Sequence, residues 1–417
     1  MSGAADDLAA RGERPLRWAI VVLLFLGTVV NYIDRQSISV LAPVLSRDLH
    51  LSNFDYGRIG SWFLIVYSLT MILWGAVFDR LGNRRGYTLA IGWWSFAEMG
   101  HALTHGFTSL SFMRGALGAG ESGNWPGATR TVAAWFSVKQ RALAMGIVNA
   151  GAGIGSAIAT PVIVWLQLAY GWRAVFVATG ALGLIWAAAW LSVYPRGGAA
   201  AAETGAAPVR TAPVPWGVLL VRREVWGIIL GRFFGDPIWW LFLNWLPKYL
   251  FDAYGFSLQR IGYLGWIPFA AAVIGGISGG ALSGELIARG WSVNRARKTA
   301  IATGTALMLS GIATPWMHSP YAALACMSAT CFGFQFWAGN VLTLPSDFFP
   351  VGAVGSIAGF AGAAAGFGGA LFNLAIGWIV DRYSYVPVFA IEGALAVLAT
   401  GSLFLLAGRI RRLEGLA

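Results

Sequence analysis

Asn31-Tyr32-Ile33-Asp34-Arg35 interrupts an otherwise apolar run: residues 19–30 before it are almost wholly aliphatic, and residues 37–45 after it carry no charge. A carboxylate and a guanidinium therefore lie inside a segment that reads as a membrane span. Ionisable groups at that depth are costly and characteristically line a polar cavity or an ion path. The pentapeptide points to a membrane protein that moves something polar across the bilayer.

The rest of the chain agrees. Of 417 residues, 57% are hydrophobic and 11% charged, against about 25% charged in soluble proteins, and the mean hydropathy is +0.64. Apolar stretches near 20 residues, the length that crosses a bilayer, recur at 17–40, 56–78, 87–105, 108–128, 142–168, 173–193, 224–250, 259–287, 299–316, 319–344, 353–380 and 385–407. This predicts an all-α membrane protein of twelve transmembrane helices. The net charge of +11 would raise nucleic acid as a partner for a soluble chain. Here the charge follows topology instead: with the N-terminus inside, nineteen of the 29 Lys and Arg fall in inner segments, as membrane insertion favours. The reading is a multi-pass protein of the inner membrane with both termini cytoplasmic, in contact with lipid and not with nucleic acid. The first span lacks a small-residue cleavage site, so it is not read as a signal peptide. Cys326 and Cys331 have neither metal nor disulfide spacing and are read as packing residues, and no cofactor is expected.

The longest polar break, 194–223, holds Pro195, Pro208, Pro213, Pro215 and a run of small residues. It reads as a cytoplasmic linker between a six-helix bundle at 17–193 and another at 224–407. A cytoplasmic segment, 1–16, precedes them and a cytoplasmic tail, 408–417, follows. Between spans 2 and 3 stands Gly75-x3-Asp79-Arg80-x-Gly82-x-Arg84-Arg85. Glycines let helix ends approach, and the charges can bond a neighbouring helix end, so Gly75, Asp79, Arg80, Gly82, Arg84 and Arg85 are read as a conformational latch. The matching place in the second half has Gly284 where an aspartate is expected, with Glu285 adjacent, which predicts a weaker or shifted latch. A third such string, Gly377-x3-Asp381-Arg382, falls in an outer loop and is read as a helix terminus, not a latch.

Span 4 carries Arg114 and Glu121, seven residues apart and so on one helix face about 10.5 Å apart. With Asp34 and Arg35 they place two acids and two guanidiniums around one water-accessible cavity. Protonating a carboxylate there would release its arginine to grip an anion bidentately, which links proton and anion binding. A closed set of structural ion pairs is the competing reading. Tyr67 and Asn149 can add polar groups. In span 10, Gln335, Trp337 and Asn340 offer amides and a ring face suited to a polyhydroxylated ligand, and Asn373 in span 11 can join them. Arg232 and Asp236 in span 7 read equally as a gate or an internal ion pair.

Two bundles joined by an inner linker, together with these motifs, resemble the major facilitator fold, whose halves are related by a pseudo-two-fold axis along the membrane normal. More narrowly, Asn31–Arg35, Gly118-Ala-Gly-Glu-Ser-Gly-Asn-Trp-Pro126, Arg232-Phe-Phe-Gly-Asp-Pro-Ile-Trp-Trp240, Asn244-Trp-Leu-Pro-Lys-Tyr249, Gln335-Phe-Trp-Ala-Gly-Asn340 and Pro345-Ser-Asp-Phe-Phe-Pro350 resemble the anion:cation symporter branch, hexuronate transporters in particular. The resemblance implies a monomeric symporter, not an enzyme, that imports a sugar acid such as glucuronate or galacturonate by alternating access. Asp34 and Glu121 would be the protonation sites, with sodium as the alternative coupling ion. Arg35, Tyr67 and Arg114 would meet the anion, and Gln335, Trp337 and Asn340 the sugar. Ala152 and Gly366 depart from the Gln and Asn of aldonate carriers. Spans 3 and 12 usually face away from the cavity in this architecture, so Glu98 and Glu392 are read as interfacial or locally paired. Carriers of other organic anions (aldonate, tartrate, aromatic carboxylate, phosphate) and a non-transporting ligand sensor are the alternatives.

Overall fold

The computed structural model describes residues 2–136, 138–196 and 214–413. Helices make up 88% of the described residues, which contain no strand. Helix α1 spans Ser2–Val40. The following run, Asn53–Gly100, breaks at Gly82 (φ 72°, ψ 171°) into α2 (53–81) and α3 (83–100). That left-handed φ is one that glycine adopts without steric cost. Then come α4 (Phe107–Glu121), α5 (Val138–Tyr170) and α6 (Trp172–Val193). After the linker follow α7 (Arg223–Tyr254), α8 (Ile267–Ala288), α9 (Val293–Met308), α10 (Pro320–Val341), α11 (Val351–Arg382) and α12 (Val386–Ser402). Each predicted span thus has its helix. Most of the expected linker, residues 197–213, and the last residues of the tail lie outside the described residues.

Hydropathy and length alone single out seven segments, one of which is the α2–α3 run. Three of the other four spans escape for visible reasons. α4 and α9 are only 15 and 16 residues long, and α7 carries Arg232, Asp236, Lys248 and Asp252. The fourth helix of each half is broken at the same place. α4 stops at Glu121 and restarts as Asn124–Trp135, and α10 stops at Val341 and restarts as Leu344–Phe348. Pro126 and Pro345 sit in the first turn of the restarted pieces, where a missing N–H costs nothing.

The chain divides into two compact units. One holds the chain up to Leu41 and from Val66 into the linker; the other holds Ala42–Ile65 and the chain after the linker. The expected boundary lay wholly in the linker. In the structure the first part of α2 also groups with the second unit.

In the first unit α1 packs closely along α5. A Cβ added at Gly151 or Gly155 would stand 2.7 Å from the carbonyl oxygens of Phe25 or Val29. The glycine run thus serves close helix packing, as small residues do in membranes. Trp186 and Trp190 stack at 5.3 Å, and Trp186 donates to the Leu23 carbonyl at 2.7 Å.

The latch segment makes two kinds of bond. Asp79 pairs with Arg130 of the restarted fourth helix. Arg84 donates to the carbonyls of Tyr194 (2.9 Å) and Leu191 at the end of α6. Arg80 and Arg85 are exposed. Gly82 is required by its φ, whereas a Cβ at Gly75 would meet nothing.

In the second unit Asp381 is more than a helix terminus. Its carboxylate accepts from the main-chain N–H groups of Asn53 (3.1 Å) and Phe54 (2.7 Å), capping the start of α2. An anion at a helix N-terminus satisfies orphan donors and complements the dipole. Tyr56 and Ser61 add bonds to the carbonyls of Asn244 (2.7 Å) and Ala370 (2.6 Å). The string dismissed as a latch by position therefore ties two segments together. Glu285, for its part, pairs among the described residues with the nearby Arg289. The corresponding corner is held instead by Arg297, which bonds Asp347 (3.0 Å), Ser283 (3.0 Å) and Asn340 (3.2 Å).

Gly155→Val places side-chain carbon against the main chain of α1 and should lower stability by about 1–3 kcal/mol, read as a fall in thermal midpoint of the purified protein. Gly75→Ala, facing open space, should leave that midpoint unchanged.

Candidate functional site

Asp34 and Arg35 follow one another on α1, so their side chains leave the helix about 100° apart and meet different partners. Arg35 reaches α4: its Nη2 and Nε donate to Glu121 Oε2 at 2.7 and 3.0 Å, and Nη2 also donates to Asn31 Oδ1 at 3.3 Å. The guanidinium lies over the rings of Tyr32 (4.8 Å) and Tyr67 (5.0 Å), a favourable cation–π arrangement. Arg114 does not form the hydrogen-bonded pair with Glu121 of its own helix. It donates from Nη2 to the main-chain oxygen of Arg35 at 3.0 Å, and its charge acts on Asp34, Glu98 and Glu121.

Among the described residues, neither carboxylate oxygen of Asp34 has a hydrogen-bond donor. The Thr179 hydroxyl of α6 lies beside it, but its bond goes to Glu98 Oε1 on α3, at 3.2 Å. Glu98 is fully buried, which sets aside the interfacial reading, and it has the local neighbour the other reading expected, His101 Nδ1 at 3.7 Å. Sequence reasoning placed it outside the cluster because the span number of α3 suggested a peripheral helix. The available signal was a glutamate three residues before His101 in an otherwise apolar helix.

The water-accessible cavity expected around these groups is closed. Asp34, Arg35, Arg114 and Glu121 are 0, 2, 1 and 0% exposed. Charges at such depth are costly unless paired and hydrogen-bonded, and the Arg35–Glu121 pair meets that demand directly.

The remaining expected site residues have these surroundings within their own units. Asn149 is exposed on α5 and Gln335 half-buried on α10. Trp337 is fully buried and donates to Thr400 Oγ1 at 3.0 Å. Asn340 donates to the carbonyls of Gly279 and Phe336 and accepts from Arg297. Asn373 accepts from Asn244 (3.2 Å) and Trp245 (2.9 Å) and donates to the Gly369 carbonyl. The polar atoms of these three are spent within their own unit. Arg232 and Asp236 form a pair within α7. Glu392 is buried, not interfacial, and faces Gly311, where a Cβ would approach its Oε2 to 2.3 Å.

Removing Arg35 strands the Glu121 charge. Arg35→Ala should cost roughly 3–5 kcal/mol of stability. The double variant Arg35→Ala/Glu121→Ala should recover part of that loss in a double-mutant cycle read by thermal unfolding.

The family model described as Major Facilitator Superfamily matches residues 24–373. The hexuronate transporter of Escherichia coli (strain K12) is 32% identical over 403 residues, covering 93% of each chain. The galacturonate transporter of Dickeya chrysanthemi is 33% identical over 333 residues, 75% of this chain and 95% of that one. Among solved structures, a bacterial homologue of the human lysosomal transporter Spinster superposes with a TM-score of 0.76 at 19% identity, covering 96% and 99% of the two chains. Twelve helices in a matching fold, with relatives above 30% identity over nearly their whole length, make this chain a member of the Major Facilitator Superfamily, a multi-pass membrane transporter akin to carriers of sugar acids.

Proposed function

We propose that the protein imports a hexuronate, glucuronate or galacturonate, together with a proton by alternating access, across the inner membrane with both termini in the cytoplasm. The observation that carries this reading is the buried Arg35–Glu121 pair with Asp34 and Arg114 beside it, in a chain similar to a hexuronate and a galacturonate transporter. Protonating Glu121 removes the charge that holds Arg35. The planar guanidinium, already oriented by Tyr32 and Tyr67, is then free to take a substrate carboxylate bidentately. Proton and anion thereby favour each other's binding, and by linkage the effect is reciprocal. Arg114 supplies the second positive charge. Gln335 is the sugar-facing candidate on α10, and Asn149 a further polar group on α5. Trp337, Asn340 and Asn373, which hold their own helices together, would contact the sugar only after those bonds exchange. Asp79, Arg84 and Gly82, with Gly75, Arg80 and Arg85 around them, serve as a latch that forms in one conformation and breaks in the other.

Uptake of labelled glucuronate into proteoliposomes, challenged with galacturonate, an aldonate, tartrate and phosphate, tests the substrate class. Competition by uronates alone is the expected result; competition by tartrate or phosphate alone would reassign the substrate. Arg114→Ala should abolish substrate binding in titration calorimetry while the protein remains folded in the membrane, and undiminished affinity would remove it from the site. Glu121→Gln should reduce accumulation driven by a pH gradient by at least tenfold more than it reduces substrate exchange, as measured by counterflow.

A further inference from the structure

In the second unit, basic side chains at the start of α7, the start of α9 and the end of α12 converge. α7 and α12 pack with almost no gap there: a Cβ at Gly227 would stand 2.9 Å from the Ala407 nitrogen. Beyond Ala407 the chain turns at Gly408 (φ 61°), and a Cβ at that glycine would lie 3.7 Å from Arg223 Nη2. The segment after the turn is pinned. Ile410 donates its main-chain N–H to Asn294 Oδ1 on α9 at 2.9 Å, and Leu413 donates to the Phe348 carbonyl at 2.8 Å. One turn along α9 from Asn294, the Lys298 ammonium lies 5.2 Å from the centre of the Phe404 ring. Arg223, Lys298, Arg409, Arg411 and Arg412 are thereby held at one place, although they come from three separate segments.

Arg223, Arg409, Arg411 and Arg412 are exposed and Lys298 is half-buried. Among the described residues one acid pairs with any of the five: Glu224, 3.6 Å from Arg223. Orientation in a membrane asks only that Lys and Arg lie on one side of it. It does not ask that a tail be fixed by two main-chain bonds so that its arginines meet cations from two other helices, where like charges repel. An anion among them relieves that repulsion. The border of the patch indicates which anion. Val221, two residues before Arg223, and Leu405, next to Phe404, are each 80% exposed, and Trp226 is 44% exposed with its indole N–H donated to the Leu220 carbonyl at 2.8 Å. Exposed apolar side chains with an anchored indole are what the boundary between headgroups and hydrocarbon favours. A soluble anion would use the cations alone. A phospholipid uses both, its phosphate on the cations and its acyl chains on the apolar border.

We propose that these three helix ends form a seat for the headgroup of an anionic phospholipid in the adjoining leaflet. Lys298 and Arg409 meet its phosphate, the lysine as a point charge and the guanidinium through paired N–H groups, and Arg223, Arg411 and Arg412 surround it. The bound headgroup links α7, α9 and α12 through the tail. The seat is cytoplasmic under the topology proposed above; its chemistry depends neither on that topology nor on the substrate.

The test titrates phosphatidylglycerol and, separately, phosphatidylcholine into the purified full-length protein in detergent, with bound lipid read by native mass spectrometry. The wild type should retain phosphatidylglycerol and release phosphatidylcholine. Lys298→Gln/Arg409→Gln should raise the half-saturating concentration of phosphatidylglycerol about twenty-fivefold, since each basic group beside an anionic surface contributes about a factor of five. Arg196→Gln/Arg289→Gln removes the same charge from other exposed positions and should leave that concentration unchanged. Equal retention by the wild type and the Lys298/Arg409 variant overturns the proposal. So does an equal loss in both double variants, which would make the effect one of net charge. Displacement of the lipid by inorganic phosphate at the same concentration would make this a site for a free anion, an equally adverse result. Should the Lys298/Arg409 variant fail to fold, Arg411→Gln/Arg412→Gln, which alters only exposed side chains, must weaken retention; an unchanged titration has the same adverse meaning. A wild type that carries no sugar acid, or a tail found on the outer side, would sink the functional reading and leave these titrations to stand on their own.

Discussion

A charge inside a low-dielectric bundle must be met by another charge or by fixed dipoles, and the first six helices are arranged around that demand. Arg35 meets Glu121 across α1 and α4, Tyr32 and Tyr67 cover the guanidinium, and Arg114 ties back to the main chain of α1. The close packing of α1 on α5 brings the helix that bears Asp34 and Arg35 into a fixed position. Such a cluster is a poor device for stability alone, because well-packed apolar groups of similar volume would serve as well or better.

The same economy of paired groups recurs at the corners of both units. Asp79 with Arg130 and Arg84 with the end of α6 hold the α2–α3 bend. Arg297 with Asp347 and Asn340 holds the α8–α9 bend. The two halves reach similar ends with opposite placement of the acid and the base, so a repeat that looks degraded as a string of letters is maintained as a set of interactions. Asp381 extends the principle to a main-chain acceptor site: two orphan N–H groups at the start of α2 take the place of a basic side chain. The exposed Asp79–Arg130 contact is individually weak, whereas Arg297 and Asp347 are largely buried.

Polar side chains in the second unit illustrate how tertiary structure redirects an inference. Trp337 and Asn340 were attractive as ligand groups because buried amides and an indole N–H require partners. That requirement holds, but the partners come from within: Thr400 for Trp337, and Gly279, Phe336 and Arg297 for Asn340. Glu98 went the other way. Its helix looked peripheral, yet the fold buries its carboxyl where the Thr179 hydroxyl donates to it and the charges of Arg114 and Glu121 act on it.

The twelve spans, the internal duplication and the charged pentapeptide were legible in the chain itself, because the bilayer sets a length and a polarity that each span must satisfy separately. Asp34, Arg35, Arg114 and Glu121 stood out for the same reason, since each is an expense that an apolar segment carries only for cause. Which of these groups touch was not legible. That Glu121 takes Arg35 over Arg114, that Glu98 takes the Thr179 hydroxyl, and that Asp381 caps α2 from more than three hundred residues away along the chain depend on how helices rotate and approach. Rotation about a helix axis by a single residue position, about 100°, changes a side chain's neighbours entirely, and only the packed structure decides it.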